Sequence, residues 1–213
     1  MEIEKPITII GCGPGATEYL TEAGRMAARK ADCRIGSKKL LRLFADCGGE
    51  QVEIGAGVDL AINEIGKRYG KGKVAVLVSG DPGVCSLAKP IIKKFGIENC
   101  HVIPGISSVQ LAFARLGVEW YDARIISAHN SDPEIAFLEL AKEKKIAVLA
   151  GREGAIAWIA RLAEEIGTGY DIYVCEELST ANEKITKVAP KELDGYKAST
   201  MAVALFIGRE LGK

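Results

Sequence analysis

The stretch KVAVLVSGDPGVCS, residues 73–86, decides the fold. Val74, Ala75, Val76, Leu77 and Val78 form an unbroken apolar run, the pattern of a parallel strand covered on both faces, so this strand is expected at the centre of its sheet. The run ends at Ser79-Gly80-Asp81-Pro82-Gly83. In an open parallel sheet, ligands bind in the crevice outside the carboxyl ends of the strands, which places chemistry at this turn. A simpler reading competes: Asp81 is a good N-cap and Pro82 suits the first position of a helix over 84–95. The same pair recurs at Asp132-Pro133, ahead of another helical pattern. What the first pair adds is Gly80 and Gly83, which let backbone approach a ligand closely. Capping and binding both stand open for this turn.

Working outward, an apolar strand over 7–10 runs into Gly11-Cys12-Gly13-Pro14-Gly15 and a helical pattern starting near Thr17. Strand, glycine-rich turn and helix is the plan of a phosphate-binding unit, and G-x-G-x-x-A is satisfied if Ala16 is its last residue. Asp32 lies near the position of a ribose-binding acid, so a Rossmann-type nucleotide-binding oxidoreductase is a competing reading. Against it, Pro14 removes an amide where a pyrophosphate cradle needs donors, and Asp32 precedes the strand 33–35 instead of ending it. Helix 38–44, strand 51–54, helix 60–69 and strand 100–103 continue the alternation that implies a parallel sheet. Pro104-Gly105-Ile106-Ser107-Ser108 then turns into a helix over 109–116. Ser107 either caps that helix or, with Ser108, offers a hydroxyl to the same crevice as Asp81.

Around Gly117 to Asp122 the pattern changes, and the chain divides there into an N-terminal α/β domain, 1–117, with a mainly parallel sheet and a C-terminal α/β domain, 118–213, with a mixed sheet. The second half reads as strand 124–127, helix 133–141, strand 146–150, helix 155–163 and strand 172–175. Strands over 183–188 and 200–207 follow without an intervening helix, which suggests an antiparallel edge.

Lysine plus arginine and aspartate plus glutamate both number 28 in the 213 residues, so no net positive field exists to hold nucleic acid or an anionic membrane. No basic lead, apolar core and cleavage site opens the chain, and no apolar run approaches a membrane span, so a cytoplasmic location is expected. The six cysteines are scattered singly, without zinc or redox spacing, and are read as reduced thiols; Cys12 and Cys85, in the two turns, read as small buried hydrophobes. Two histidines, His101 and His129, are too few for a histidine-rich metal site.

Four signatures now stand in order: GCGPGATEYLT at 11–21, SGDPG at 79–83, PGISS at 104–108 and AGRE at 150–153. Together they resemble the tetrapyrrole methylase family over essentially the whole chain. LFADCGGE in the first half, SAHNSDPE at 127–134 and VLAGREG at 148–154 further resemble the branch that methylates C5 of cobalt-precorrin-7 in anaerobic cobalamin synthesis, with other precorrin C-methyltransferases of the same fold as the alternative.

The resemblance implies the tetrapyrrole methylase (class III methyltransferase) fold, two α/β domains with S-adenosylmethionine held between them, adenosylhomocysteine as product, and a homodimer. Carried over by motif, the cofactor contacts are Pro14, Gly80, Asp81, Val84, Ser107, Ser108, Ala150 and Leu178. The first glycine-rich loop, with Gly11, Gly13 and Gly15, faces the tetrapyrrole in this family, which accounts for its proline. Since the methyl donor is already a sulfonium, the protein must chiefly hold a nucleophilic ring carbon in line and exclude water. Loss of positive charge at sulfur makes Asp81 a ligand of hydroxyl or amine groups, or a cap, and not a base. His129 has the basicity to take a ring proton, or binds a substrate carboxylate, or packs structurally. Arg152 is the candidate for gripping a macrocycle carboxylate, its alternative being a salt bridge with Glu153 or a nearby acid. Because the chain ends at Lys213 soon after the last strand, transfer of one methyl is expected, with C15 methylation and decarboxylation left to a separate protein.

Overall fold

The computed structural model describes residues 6–55 and 57–212. In chain order the elements are β1 (Ile7–Gly11), α1 (Glu22–Lys30), β2 (Cys33–Gly36), α2 (Lys38–Leu41), β3 (Glu50–Glu53), α3 (Val58–Arg68), β4 (Val74–Val78), α4 (Ala88–Phe95), β5 (Cys100–Ile103) and α5 (Ser108–Leu116). There follow β6 (Arg124–Ser127), α6 (Phe137–Leu140), β7 (Lys145–Ala150), α7 (Ala155–Ile166), β8 (Tyr170–Glu176), β9 (Lys184–Val188) and β10 (Ala202–Gly208). The chain forms two compact units, 1–107 and 108–213. This division precedes α5, whereas the composition change lies at 117–122; α5 packs on β10 and so counts with the second unit.

In the first unit a five-stranded sheet has the order β3-β2-β4-β1-β5, with every neighbouring pair parallel. β4 is its middle strand, and its uninterrupted apolar sequence follows from burial on two sides. Val74, Val76 and Val78 join a cluster with Ala61 and Ile65 of α3 and Ala88 and Ile91 of α4. Ala75 and Leu77 join the opposite cluster, with Ala28, Leu40, Leu41 and Phe44. The α1 helix starts at Glu22 and not near Thr17, because Thr21 accepts the Gly24 amide at 3.1 Å as its N-cap, while 17–19 form a single 3-10 turn. Arg34 of β2 is fully buried and donates to the carbonyls of Ala28, Ala31 and Gly48, tying the end of α1 to the 46–49 turn. That is a structural use for the LFADCGGE segment.

In the second unit the order is β6-β7-β10-β8-β9: β6 and β7 are parallel, and every other pair is antiparallel. The antiparallel edge is β9 alone. β10 lies in the middle, where all seven of its residues are buried, as its sequence AVALFIG requires. Ala155, Trp158, Ile159 and Leu162 of α7 pack with Ile146, Val148, Val174, Ala204 and Phe206 on one face. Lys145, at the amino end of β7, is buried and donates to Glu119 O at 3.0 Å and to the Asp122 carboxylate, which fastens the 117–123 segment. Among the described residues no helix is long and apolar enough to cross a membrane.

Candidate active site

Each unit gathers its sequence-marked residues at the carboxyl ends of its parallel-running strands. In the first unit three turns, after β1, β4 and β5, are knitted together by main chain. Cys12 N donates to Val78 O at 2.8 Å, and Gly13 and Gly80 exchange hydrogen bonds at 3.2 and 2.8 Å, with φ of +76° and +64°. A β-carbon on Gly11 would lie 2.6 Å from Gly105 N, and one on Gly105 would overlap Gly80 O. The glycines are therefore required where backbone meets backbone.

Asp81 does not cap a helix. Residues 81–87 form turns and α4 begins only at Ala88, so the expected helix over 84–95 loses its first turn. Asp81 instead accepts the Gly83 amide on Oδ1 at 2.7 Å and the Gly105 amide on Oδ2 at 3.0 Å, which locks the turn after β4 to the turn after β5. The start of α4 is served by Ser86, whose Oγ accepts Ala88 N at 3.0 Å. Cys85 is exposed with φ +49°, contrary to its reading as a buried hydrophobe, while Cys12 is buried and its thiol is pushed up to about 12 by desolvation. Ser107 is buried and Val84 and Pro14 are partly buried.

These bonds correct the nucleotide-binding alternative. A pyrophosphate needs free amides at the glycine turn, yet the Cys12 and Gly13 amides already donate to Val78 O and Gly80 O, and Pro14 has none. Asp32 sits at the amino end of β2, accepting Lys73 N at 2.8 Å, at the opposite end of the sheet from the glycine turn. β4 also separates β2 from β1, which are adjacent in the dinucleotide-binding order. Among the described residues the side chains of this edge carry no cation, and one acid, Asp81, is fixed in orientation by two amides. A fixed carboxylate beside occupied amides disfavours a phosphate there. A cleft of about 900 Å³ in this unit runs beside β5, lined by Thr8, Met26, Lys30, Ile97 and His101, and includes only Pro104 from these turns.

In the second unit the register places the ends of β6, β7 and β8 together, since β7 and β8 both pair antiparallel with β10 and Ala202 lies opposite both Ala150 and Glu176. Side chains dominate here. The His129 ring lies over Gly151, so closely that any β-carbon there would overlap Nδ1, and the His129 amide donates to Ser127 Oγ at 3.4 Å. Arg152 pairs with Asp132, as does Arg161 of α7 at 2.6 Å. Gly154 gives the Arg152 guanidinium its space, because a β-carbon at 154 would overlap Nη1. Ala150 is buried and pairs through β7 with β10. The expected helix over 133–141 shrinks to α6, so Asp132 is no cap either; the acid near Arg152 is Asp132 and not Glu153.

The turn after β8 holds Leu178, buried, between Glu177 and Ser179 with φ of +47° and +67°. Positive φ at two side-chain residues that flank a third is strained. Glu183 restrains them by accepting Ser179 N at 2.6 Å while Arg115 donates to it at 2.6 Å. The Arg115 guanidinium holds the Glu183 carboxyl below the usual range. In the sequence Arg161 and Glu183 have no assigned role and Asp132 only a capping one; its place three residues after His129 in SAHNSDPE is the signal for more.

With this geometry in hand, comparison with known proteins is decisive. Residues 6–194 match the family model of the Tetrapyrrole (Corrin/Porphyrin) Methylases. The chain belongs to that family. As a tetrapyrrole methylase it is a C-methyltransferase, and its relatives include the cobalt-precorrin-7 C(5)-methyltransferase of Salmonella typhimurium, 33% identical over 84% of this chain and 88% of that protein. The probable cobalt-precorrin-7 C(5)-methyltransferase of Methanocaldococcus jannaschii is 31% identical over 96% of this chain and 99% of that one. Among solved structures, the uroporphyrin-III C-methyl transferase of Thermus thermophilus, complexed with S-adenyl homocysteine, shares the fold at a TM-score of 0.79 with 19% identity, covering 97% and 98% of the two chains.

Proposed function

We propose that this tetrapyrrole methylase transfers a methyl group from S-adenosylmethionine to C5 of cobalt-precorrin-7 in cobalamin synthesis. What carries the reading is the match, across 84% and 96% of this chain, to two relatives from different organisms that are both named for that carbon. Both relatives are named for C5 alone, which supports a single transfer, to C5, by this domain. We assign the methyl donor to Pro14, Gly80, Asp81, Val84, Ser107, Ser108, Ala150 and Leu178, and the macrocycle to Gly11, Gly13, Gly15, His129 and Arg152. The assembly is a homodimer and works in the cytoplasm.

When bound, the donor supplies a methyl already activated on a sulfonium. The protein's own work is positional. Asp81, with both oxygens engaged by loop amides, keeps the turns after β4 and β5 rigid, so the backbone groups that hold the donor need no reorganisation during the reaction. His129, exposed and held over Gly151, takes the ring proton that must leave after methylation. Incubation with methyl-labelled S-adenosylmethionine and cobalt-precorrin-7, read by mass spectrometry and carbon NMR, should show one methyl at C5 without loss of carbon dioxide. Label at another ring carbon, or two methyls with decarboxylation, would overturn the assignment.

A further inference from the structure

Positive φ at Glu177 and Ser179, on either side of Leu178, is a conformation that side-chain residues keep only where their surroundings impose it. Glu183 restrains the turn at Ser179, and a different segment restrains it at Glu177. β10 begins at Ala202, opposite Glu176, so the residues just before β10 lie beside the turn just after β8. Ser199 is the hub of that contact. Its hydroxyl donates to the Glu177 carboxylate, the same oxygen accepts the Met201 amide at 3.1 Å, and the Met201 carbonyl accepts the Glu177 amide at 3.2 Å, which closes a ring of hydrogen bonds. The Ser199 amide donates to Glu176 Oε1 at 2.8 Å, and the Tyr196 hydroxyl donates to Oε2 of the same carboxylate at 2.8 Å. Glu176 is buried, so stripping it of either donor is costly and the segment stays in place. Tyr196 and Ala198 also pack against the core of the unit. The segment 196–201 is therefore a fixed frame, and Ser199 is the residue that connects it to the strained turn.

We propose that Ser199 is a positioning residue for the methyl donor: it transmits the frame of the 196–201 segment to Glu177, Leu178 and Ser179 and holds them in the conformation that the donor meets. The turn is then formed before the donor arrives, and none of the binding energy goes into forcing two side-chain residues into positive φ. Glu176 acts one step further back, by fixing the Ser199 amide. Both residues lie outside the four sequence signatures of the chain. This inference rests on the assignment of Leu178 to the methyl donor.

The test compares Ser199→Ala with Ser199→Thr in the full-length protein, by calorimetry with adenosylhomocysteine well below the melting temperature. In Ser199→Ala the dissociation constant should rise about tenfold, the size of one lost hydrogen bond to a charged group. Ser199→Thr keeps a hydroxyl on the same carbon and should bind as the wild type does. In turnover, Ser199→Ala should raise the KM for S-adenosylmethionine and leave the KM for cobalt-precorrin-7 as it was, a split that a general loosening of the fold would not produce. In the wild type, adenosylhomocysteine should slow amide hydrogen exchange in the peptide that spans 177–179. Wild-type affinity in Ser199→Ala, a threonine variant as impaired as the alanine one, or both KM values rising together would each overturn the inference. Adenosylhomocysteine that binds the wild type without slowing exchange at 177–179 would instead overturn the assignment of Leu178, and the inference with it.

Discussion

At the carboxyl edge of the first sheet the contacts run through main chain, with Gly11, Gly13, Gly80 and Gly105 packed backbone to backbone and one acid, Asp81, accepting two amides. At the corresponding edge of the second sheet they run through side chains: His129 over Gly151, Asp132 between Arg152 and Arg161, and Glu183 between Arg115 and Ser179. Under the proposed assignment the difference follows the ligands only in part. The methyl donor, common to a whole family, draws mostly on the backbone-locked turns after β4 and β5, with Ala150 and Leu178 added from the second unit. The macrocycle, which differs from one member to the next, draws on the exchangeable side chains His129 and Arg152 and on the glycine loop after β1.

The strongest way to break this contrast is Gly105→Ala. A β-carbon would overlap Gly80 O and approach the Gly11 carbonyl carbon at 2.7 Å, and neither is a flexible side chain that can swing away. The variant should lose about 3 kcal/mol or more of stability together with adenosylhomocysteine binding, measured by thermal unfolding and calorimetry. Gly117→Ala, where no atom lies within 4 Å of the added carbon, should cost much less despite its φ of +65°. Equal losses at the two positions would show that the loop-to-loop contact at Gly105 costs no more than a left-handed backbone position in open space, and the close packing would not be what governs the first edge.

Next in size is a pair of acids that look alike in sequence. Asp81→Ala removes the acceptor of two loop amides and should weaken adenosylhomocysteine about tenfold or more, as loss of two hydrogen bonds to a charged group implies. Asp132→Ala should leave that affinity unchanged and raise the KM for the macrocycle. If calorimetry finds the two variants equally impaired toward adenosylhomocysteine, the division of labour between the edges is wrong.

That pair also marks how far the sequence could be read. The alternation of strands and helices, the central place of β4 and the family motifs were all legible, because they depend on local periodicity and on short turns. The two Asp-Pro turns share a capping reading because capping is a local property, and only Gly80 and Gly83 set the first apart in sequence; the partners that fully distinguish them lie far along the chain: Gly105 for Asp81, and Arg152 and Arg161 for Asp132. For the same reason β10 was assigned to an edge. Chain order says that it comes last, but its insertion between β7 and β8 is decided by pairing with strands from earlier in the unit. Glu183 and the strained turn around Leu178 left no sequence signal, since positive φ at Glu177 and Ser179 breaks the rule that glycine marks such positions.

A smaller effect separates the edges by pH. The Glu183 carboxyl is depressed by Arg115 and by the Ser179 amide, so its folded value lies below its unfolded one. The stability it adds is present above the ordinary carboxylate range and is lost as pH falls through the depressed value. Glu183→Gln should therefore cost about 1 kcal/mol near neutral pH, and the gap from wild type should close in strong acid. Denaturant titrations at a series of pH values read this directly. A gap that stays constant down to strong acid would mean that the carboxylate's charge is not what pins the turn.

The smallest expected effect concerns two thiols, one inside the first edge and one on its surface. Cys12 is buried between the turns and its thiol is pushed up to about 12, so at pH 8 only about one molecule in ten thousand carries the reactive thiolate. Cys85 is exposed, one residue after Val84, on the turn that backbone bonds connect to the rest of this edge. With a chromogenic disulfide reagent, Cys85 should react within the native protein, whereas Cys12, and Cys175 whose thiol burial also pushes up to about 12, should react only on unfolding. Peptide mapping of the labelled protein assigns the sites. Adenosylhomocysteine should slow the Cys85 reaction several-fold if Val84 contacts the donor, and leave the others as they were. Labelling of Cys12 at the rate of Cys85 would show that the three turns open readily, and a first edge that opens could not hold a donor by backbone geometry.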